Sequence, residues 1–360
     1  MLSHSISEGK SKASEECTGM KNKNLQDARA AKKDEFYTQL PDIERELKHY
    51  KDHFSGKVVL CNCDDPRVSN FFHFFSYNFE KLGLKKLITT CYKNQDMDLF
   101  SRNHSERAIY LEYEGDKSGN NVPDPEEIGI KHLNGDGDFR SAECIELLKQ
   151  ADVVVTNPPF SLFREYMAQL IEHDKRFIIV GNKNAITYKE VFSLIKHNQV
   201  WVGHMPMGTD ILFDVPADFA EELIASKKEG SSYRIIDGVV KARSQAVWFT
   251  NVDIAKRHED LILYRAYYGH EQDYLKYDNY DAINVNATKD IPADYDGVMG
   301  VPITFLDKYN PEQFEIVGLI AGNIRGLAGI ASSIGKDGPY INGKLKYGRI
   351  LIQRKQGTSQ

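Results

Sequence analysis

The sequence is poor in the features that would carry a chain into a membrane or out of a cell. Its 360 residues contain no apolar run near the roughly 18 residues needed to cross a bilayer. Residues 1–12 lack the apolar core of a secretion signal. Cysteine is scarce. The five present (Cys17, Cys61, Cys63, Cys91 and Cys144) form an odd, scattered set that fits reduced thiols in a cytoplasm better than a disulfide framework. Cys61 and Cys63 stand two apart, but no second pair of matching spacing accompanies them, so no metal is expected. Positive charge is also short overall: 46 basic against 52 acidic residues leave a net −6.

The ends of the chain depart from that average. Residues 1–33 hold seven bases and four acids, and residues 318–360 hold seven bases and a single acid, Asp337. An acidic body with basic ends can hold a polyanion locally without being a basic protein. Solvated tails are the plainer explanation, and for the N-terminal excess an equally good one.

The composition, 41% hydrophobic and 27% charged, is that of a globular chain able to bury a sizeable core. Its length suggests about two structural units. Residues 1–33 are polar, without periodicity, and read as a disordered leader. Then Pro41 precedes an apolar stripe, Ile43, Leu47, Tyr50 and Phe54, with helical spacing. A second helical stripe, Val68, Phe71, Phe72, Phe75, Phe79 and Leu82, ends at Gly83. Short apolar runs at 57–62, 86–91, 108–113, 128–133, 152–156 and 177–180 read as strands, and 140–150, 162–172 and 188–197 as helices. Continuous apolar strands separated by helices predict an α/β fold, a parallel sheet with helices on both faces. Beyond Val200 the strands shorten.

Ligands of such sheets bind beyond the carboxyl ends of the strands. There the most specific segment is Asn157-Pro158-Pro159-Phe160, directly after the apolar run 152–156. Two prolines remove two backbone donors and stiffen the turn. The segment therefore offers acceptors, the Asn157 amide oxygen and the Pro158 carbonyl, beside a flat apolar face. That suits a planar group bearing an NH₂, such as the exocyclic amine of a nucleobase. A plain strand-to-helix turn is the alternative.

In this position Asn-Pro-Pro-Phe resembles the signature of amino-directed methyltransferases. Longer strings narrow the resemblance: DEFYTQ (34–39), KVVLCNCDDPRVSNFF (57–72), GDGDFRS (135–141), VVVTNPPFSLFREY (153–166), NAITYKEVF (184–192), KYDNYDAINVN (276–286), GVPITFL (300–306) and YGRILIQRK (347–355). In this order they are similar to the EcoRI-type adenine-specific DNA methyltransferases. The resemblance is weak over 205–245 and absent from the leader.

The resemblance implies a Rossmann-like S-adenosyl-L-methionine-dependent methyltransferase sheet over 34–255 and a DNA target-recognition region with a basic arm over 256–360. It implies transfer of a methyl group to the N6 amine of an adenine flipped out of duplex DNA. Asn157 and the Pro158 carbonyl would accept both N6 hydrogens from the stiffened Pro158-Pro159 turn, and Phe160 would stack on the base. No covalent enzyme intermediate is implied, and no general base is assigned. For the cofactor, Tyr37 and Thr38 would face the methionine moiety. Cys61, Asn62, Asp64 and Asp65 would lie at the first strand-to-helix loop, which lacks the usual glycines. Asp138 would accept the cofactor's adenine amine while Phe139 stacks on its ring. A ribose-binding acid is missing, since none follows LITTC until Asp96.

DNA contacts are expected from Asn279, Asn284, Asn286 and Lys289 to base edges, and from Arg325, Lys344, Lys346, Arg349, Arg354 and Lys355 to phosphates. The implied partners are double-stranded DNA and a restriction endonuclease acting on the same site, with no membrane. An amino-methyltransferase acting on RNA or a protein glutamine, or a non-catalytic DNA-binding relative, are the competing readings.

Overall fold

The computed structural model describes residues 38–62, 69–91, 108–119, 123, 127–209, 211–215, 217–322, 324, 326–335 and 337–355. The leader 1–33 and, among the residues singled out above, Tyr37, Cys63, Asp64, Asp65, Val68, Asp96 and Arg325 lie outside them.

The first apolar stripe buries Ile43, Leu47, Tyr50 and Phe54 completely. Its carrier is a short helix, Leu40–Leu47, with Pro41 in the first turn, followed by a 3-10 turn, Lys51–His53. The second stripe also breaks in two, Asn70–Tyr77 and Phe79–Leu82. Asn78 interrupts it, because its side-chain amide donates to the Phe74 carbonyl at 2.8 Å. Gly83, left-handed at φ 63°, ends the second piece.

The main sheet has eight strands. In chain order they begin β1 (Val58–Asn62), β2 (Lys86–Thr90), β3 (Ile109–Tyr113), β4 (Gly129–His132), β5 (Val153–Thr156), β6 (Arg176–Asn182) and β7 (Trp201–Val202). The chain then leaves the sheet for a three-stranded antiparallel insertion, β8 (Ile211–Asp214), β9 (Tyr233–Ile236) and β10 (Val239–Ser244). It returns as β11 (Ala246–Thr250), and the sheet order is β4-β3-β2-β1-β5-β6-β11-β7. β2, β1, β5 and β6 pair in parallel. β3 and β11 run antiparallel to their neighbours, so the sheet is mostly rather than wholly parallel. The difference has a cause visible in burial. β1 and β5 are buried throughout, whereas β3 alternates buried and half-buried residues and β4 is exposed along its length. Only the strands covered on both faces read as unbroken apolar runs.

Alternate residues of the central strands feed two apolar clusters. Val58, Leu60, Ile88, Val154 and Ile179 face the helices Ala142–Gln150, Phe163–Glu172 and Lys189–Lys196. Val59, Leu87, Val153, Ile178 and Val180 face the helices Leu40–Leu47 and Asn70–Tyr77. Packing is close enough that a Cβ on Gly181 would meet Phe163 at 2.4 Å.

A four-stranded sheet follows, built from β12 (Ile283–Asn284), β13 (Met299–Pro302), β14 (Phe314–Ile320) and, after a small hairpin of β15 (Tyr340–Ile341) and β16 (Lys344–Leu345), β17 (Arg349–Arg354). Its order is β12-β13-β17-β14. Ile283, Met299, Val301, Ile316 and Ile352 join the first cluster, so one apolar core continues across residue 255. Lys196 reinforces that junction by donating to the Val317 carbonyl at 2.7 Å.

The N-terminal helix is latched to the sheet by a buried carboxylate. Glu46 accepts from the His204 and Met205 N–H groups at 2.6 and 2.7 Å and from the Tyr50 hydroxyl at 2.8 Å. The His49 and His204 rings stack above it, centroids 3.3 Å apart. Burial, followed by His49, Lys256 and Lys48, lowers the His204 pKa to about 4.

Candidate functional site

The parallel strands β1, β2, β5 and β6 end along one edge of the sheet, presenting Asn62, Thr90, Thr156-Asn157 and Asn182 there. The chain passes from β1 to β2 on one side, while β5 lies on the other. The order therefore reverses between β1 and β5, and a crevice opens at such a switch point. Two hydroxyls tie its walls together. Thr156 donates to the Asn62 carbonyl and Tyr166 donates to the Asn62 amide oxygen, all of them buried.

Asn157 follows immediately. It is 8% exposed, and its amide oxygen has no hydrogen-bond partner. Burying an acceptor without a partner costs about 1–3 kcal/mol, so an exception of this kind calls for an explanation. The two prolines hold it in place. Pro159 accepts the Leu162 N–H at 3.0 Å, which starts the 3-10 turn Phe160–Leu162, and the helix Phe163–Glu172 follows without a break. Phe160 is half-buried against the second apolar cluster.

Thr38 repeats the pattern. It is 3% exposed with an unpartnered hydroxyl, and its carbonyl accepts from Asn70 at 3.0 Å, at the head of the helix after the first loop. Thr89, near the end of β2, is likewise buried with an unpartnered hydroxyl. Sequence reading passed over Thr89 and Tyr166. The one available signal was a pair of threonines ending an otherwise apolar run. Cys61 sits at 3% exposure in the second apolar cluster, beneath the strand end rather than in the crevice.

The Gly135–Phe139 loop leans on the end of β2. Gly137, at φ 78°, lies so close that a Cβ would fall 2.2 Å from the Cys91 carbonyl. Asp138 is gripped by Arg140 through both carboxylate oxygens, at 3.0 and 2.7 Å, and those hydrogen bonds hold its pKa below the ordinary value. Arg140 also donates to Glu165 at 2.8 Å, linking this loop to the helix that follows Asn157. Phe139 is 6% exposed and packs edge-on against Tyr166, centroids 5.0 Å apart. The structure thus gathers Thr38, Asn62, Asn157 and the Asp138-Phe139 loop at one edge.

The expected DNA contacts are not gathered with them and divide among themselves. Asn279 is fully buried; its amide donates to Gly338 at 2.8 Å and accepts from the Tyr340 N–H at 3.3 Å. Asn284, 6% exposed, accepts from Tyr277 and Arg349 and donates to Asn286. Arg354 bonds the Ala293 carbonyl. Asn286, Lys289, Lys344, Lys346 and Lys355 are exposed. Among the described residues no group of His, Cys, Asp and Glu is arranged to hold a metal, and no helix is long and apolar enough to cross a membrane.

The family described as adenine-specific methyltransferase EcoRI matches residues 24–355. The Type II methyltransferase M.EcoRI of Escherichia coli is 51% identical over 336 residues, 93% of this chain and 97% of the relative. M.MpnI of Mycoplasma pneumoniae is 38% identical, covering 92% of this chain and 98% of its own. M.MgeORF184P of Mycoplasma genitalium is 37% identical, covering 91% and 98%. No solved structure matches the chain.

Proposed function

Because the chain belongs to the EcoRI family of adenine-specific methyltransferases, we propose that the edge carrying Asn157 is where an adenine of duplex DNA receives a methyl group at N6. The chain is a site-specific DNA adenine methyltransferase of the Type II kind. The observation that carries the assignment of the site is the unpartnered, buried amide oxygen of Asn157.

An adenine within a duplex cannot reach a crevice at a sheet edge, so it is flipped out, at a cost on the order of a few kcal/mol. Asn157 and the Pro158 carbonyl accept its two N6 hydrogens, which aims the nitrogen lone pair into the crevice. Phe160 stacks on the ring. Holding the nucleophile at one angle and excluding water provide most of the acceleration, and no nucleophilic side chain is needed.

S-adenosyl-L-methionine, when bound, would supply an electrophilic methyl group to N6, its sulfonium leaving as a neutral thioether, and N6 would then shed one proton. The residues present fit it. Thr38 and Thr89 hold buried hydroxyls without partners at or beside the crevice, Asn62 borders it, and Asp138 with Phe139 offers a carboxylate and a ring on the loop packed against β2. Tyr37, Asp64 and Asp65 belong to the same proposal. Among the expected DNA contacts that the structure describes, Asn286, Lys289, Lys344, Lys346 and Lys355 are exposed, as contact with a duplex requires. In the cytoplasm, a restriction endonuclease reading the same sequence is the partner this activity implies.

The test is transfer from labelled cofactor to duplex DNA, RNA and protein in parallel, with modified bases mapped in host DNA. Label on N6 of adenine at one sequence supports the reading. Label on RNA or protein alone would overturn it.

A further inference from the structure

Asn279 and its neighbour Asp278 support the small hairpin of β15 and β16. β15 and β16 pair through a two-residue turn, Asn342-Gly343, with φ of 51° and 72°. Positive φ at both positions is the twist-matched hairpin turn, for which Asn-Gly is the preferred sequence. Asp278 clamps it by accepting the Asn342 and Gly343 N–H groups at 3.1 and 2.7 Å, while its own N–H donates to Tyr340 at 2.8 Å. Asn279 fixes the base of the hairpin through Gly338 and Tyr340. Lys346 N–H donates to the Pro339 carbonyl at 2.8 Å, and Arg349 donates to the Tyr347 carbonyl at 3.3 Å, so the backbone on either side of Tyr347 is pinned.

What this support presents is Lys344, Leu345, Lys346 and Tyr347. Both lysines are exposed, Leu345 is 49% exposed, and Tyr347 is 87% exposed. A single exposed aromatic needs no explanation in itself. Here it stands on a rigid backbone, directly after an exposed leucine flanked by two exposed lysines, and Asp278 beside the turn is committed to backbone N–H groups. Cations suit phosphates, and a flat ring held out next to them suits the face of a base.

We infer that the 338–347 segment is a preorganised DNA-contacting finger, in which Lys344 and Lys346 meet phosphates and Tyr347 stacks on a base unstacked from the bound duplex. The inference rests on the reading of the chain as a DNA methyltransferase. It gives Asn279 a positioning role: the residue shapes the finger from inside and does not read a base edge.

The test uses the full-length protein with unmethylated duplexes carrying the sequence mapped by the methylation assay, titrated across a range of salt. Tyr347→Ala should weaken binding about tenfold while leaving the salt slope unchanged, whereas Tyr347→Phe should bind like wild type. Lys344→Gln with Lys346→Gln should flatten the slope by about 1.8, at roughly 0.9 per phosphate contact. Emission of the Tyr347→Trp variant should be quenched on adding duplex. Equal affinity of Tyr347→Ala and wild type would overturn the proposal. So would equal losses in Tyr347→Ala and Tyr347→Phe, which would mean a hydroxyl contact instead of stacking. The exposed position makes misfolding a poor explanation, and an unchanged melting temperature checks it. Failure of the wild type to methylate any duplex would overturn the parent reading instead, and that assay is scored separately from binding.

Discussion

The main sheet leaves the buried Asn157 acceptor unfilled although Asn62 at the same edge is engaged, and the C-terminal sheet leaves no buried amide unfilled among the described residues. At the edge of the main sheet, Asn157 keeps its acceptor oxygen out of water with no partner. In the C-terminal region every buried amide among the described residues is engaged. Asn279 bonds Gly338 and Tyr340; Asn284 bonds Tyr277, Arg349 and Asn286. Asn310 bonds Asp260 and Glu312, and Gln313 bonds Leu261 twice. An engaged amide stabilises the fold and has less left to offer a ligand. An orphaned one costs stability, and a ligand can recover that cost. The comparison teaches that an asparagine's role follows from its unfilled hydrogen bonds, which residue type alone does not reveal.

The largest effect that bears on this contrast is expected at Asn157. Asn157→Ala should lower single-turnover methyl transfer by more than about a thousandfold, about 4 kcal/mol of barrier, while cofactor affinity and melting temperature hold. Retention of a tenth of the wild-type rate would remove Asn157 from the reacting centre. Asn279→Ala should do the reverse. With its partners left unpaired, unfolding free energy should fall by about 1–3 kcal/mol in urea titration, with cofactor affinity unchanged. If Asn279→Ala is as stable as wild type, the engaged amide is not a support.

A smaller effect is expected where the crevice walls meet. Tyr166→Phe removes the hydroxyl that fixes the Asn62 amide, and calorimetry should show weaker S-adenosyl-L-methionine binding by roughly 1 kcal/mol, about fivefold. Unchanged affinity would make Tyr166 a core residue only.

The smallest concerns the latch on the N-terminal helix. The folded pKa of His204, about 4, lies below the ordinary imidazole value of 6.5, so the folded state takes up a proton less readily than the unfolded chain. The stability this ring contributes is complete above pH 6.5 and is lost as pH falls toward 4. Melting temperatures measured from pH 7 to 4.5 should fall less steeply for His204→Asn than for wild type; parallel curves would acquit the ring.

Much of this was legible in the residues. The unbroken apolar runs at β1, β2, β5 and β6 announced strands covered on both faces, because only such strands lack alternation. The direction of β3 and β11 was not legible, since antiparallel pairing depends on where the chain returns. Asn-Pro-Pro-Phe marked its own strand end, because two prolines after a buried run can do little else. Val239–Ser244 escaped notice as a strand: β10 is mostly half-buried, with Lys241 and Arg243 in its middle, and carries no apolar run.

By itself, then, the sequence determined the α/β alternation, the strand end that carries Asn157 and the family to which the chain belongs. Each is local, written in spacing, proline chemistry or uninterrupted strings. Only the tertiary structure decided which polar groups have partners. It paired Asp138 with Arg140, closed Asn279 inside the C-terminal region and left Asn157 and Thr38 unfilled. Hydrogen-bond satisfaction is a property of what folding brings together across the chain, so no window of sequence contains it.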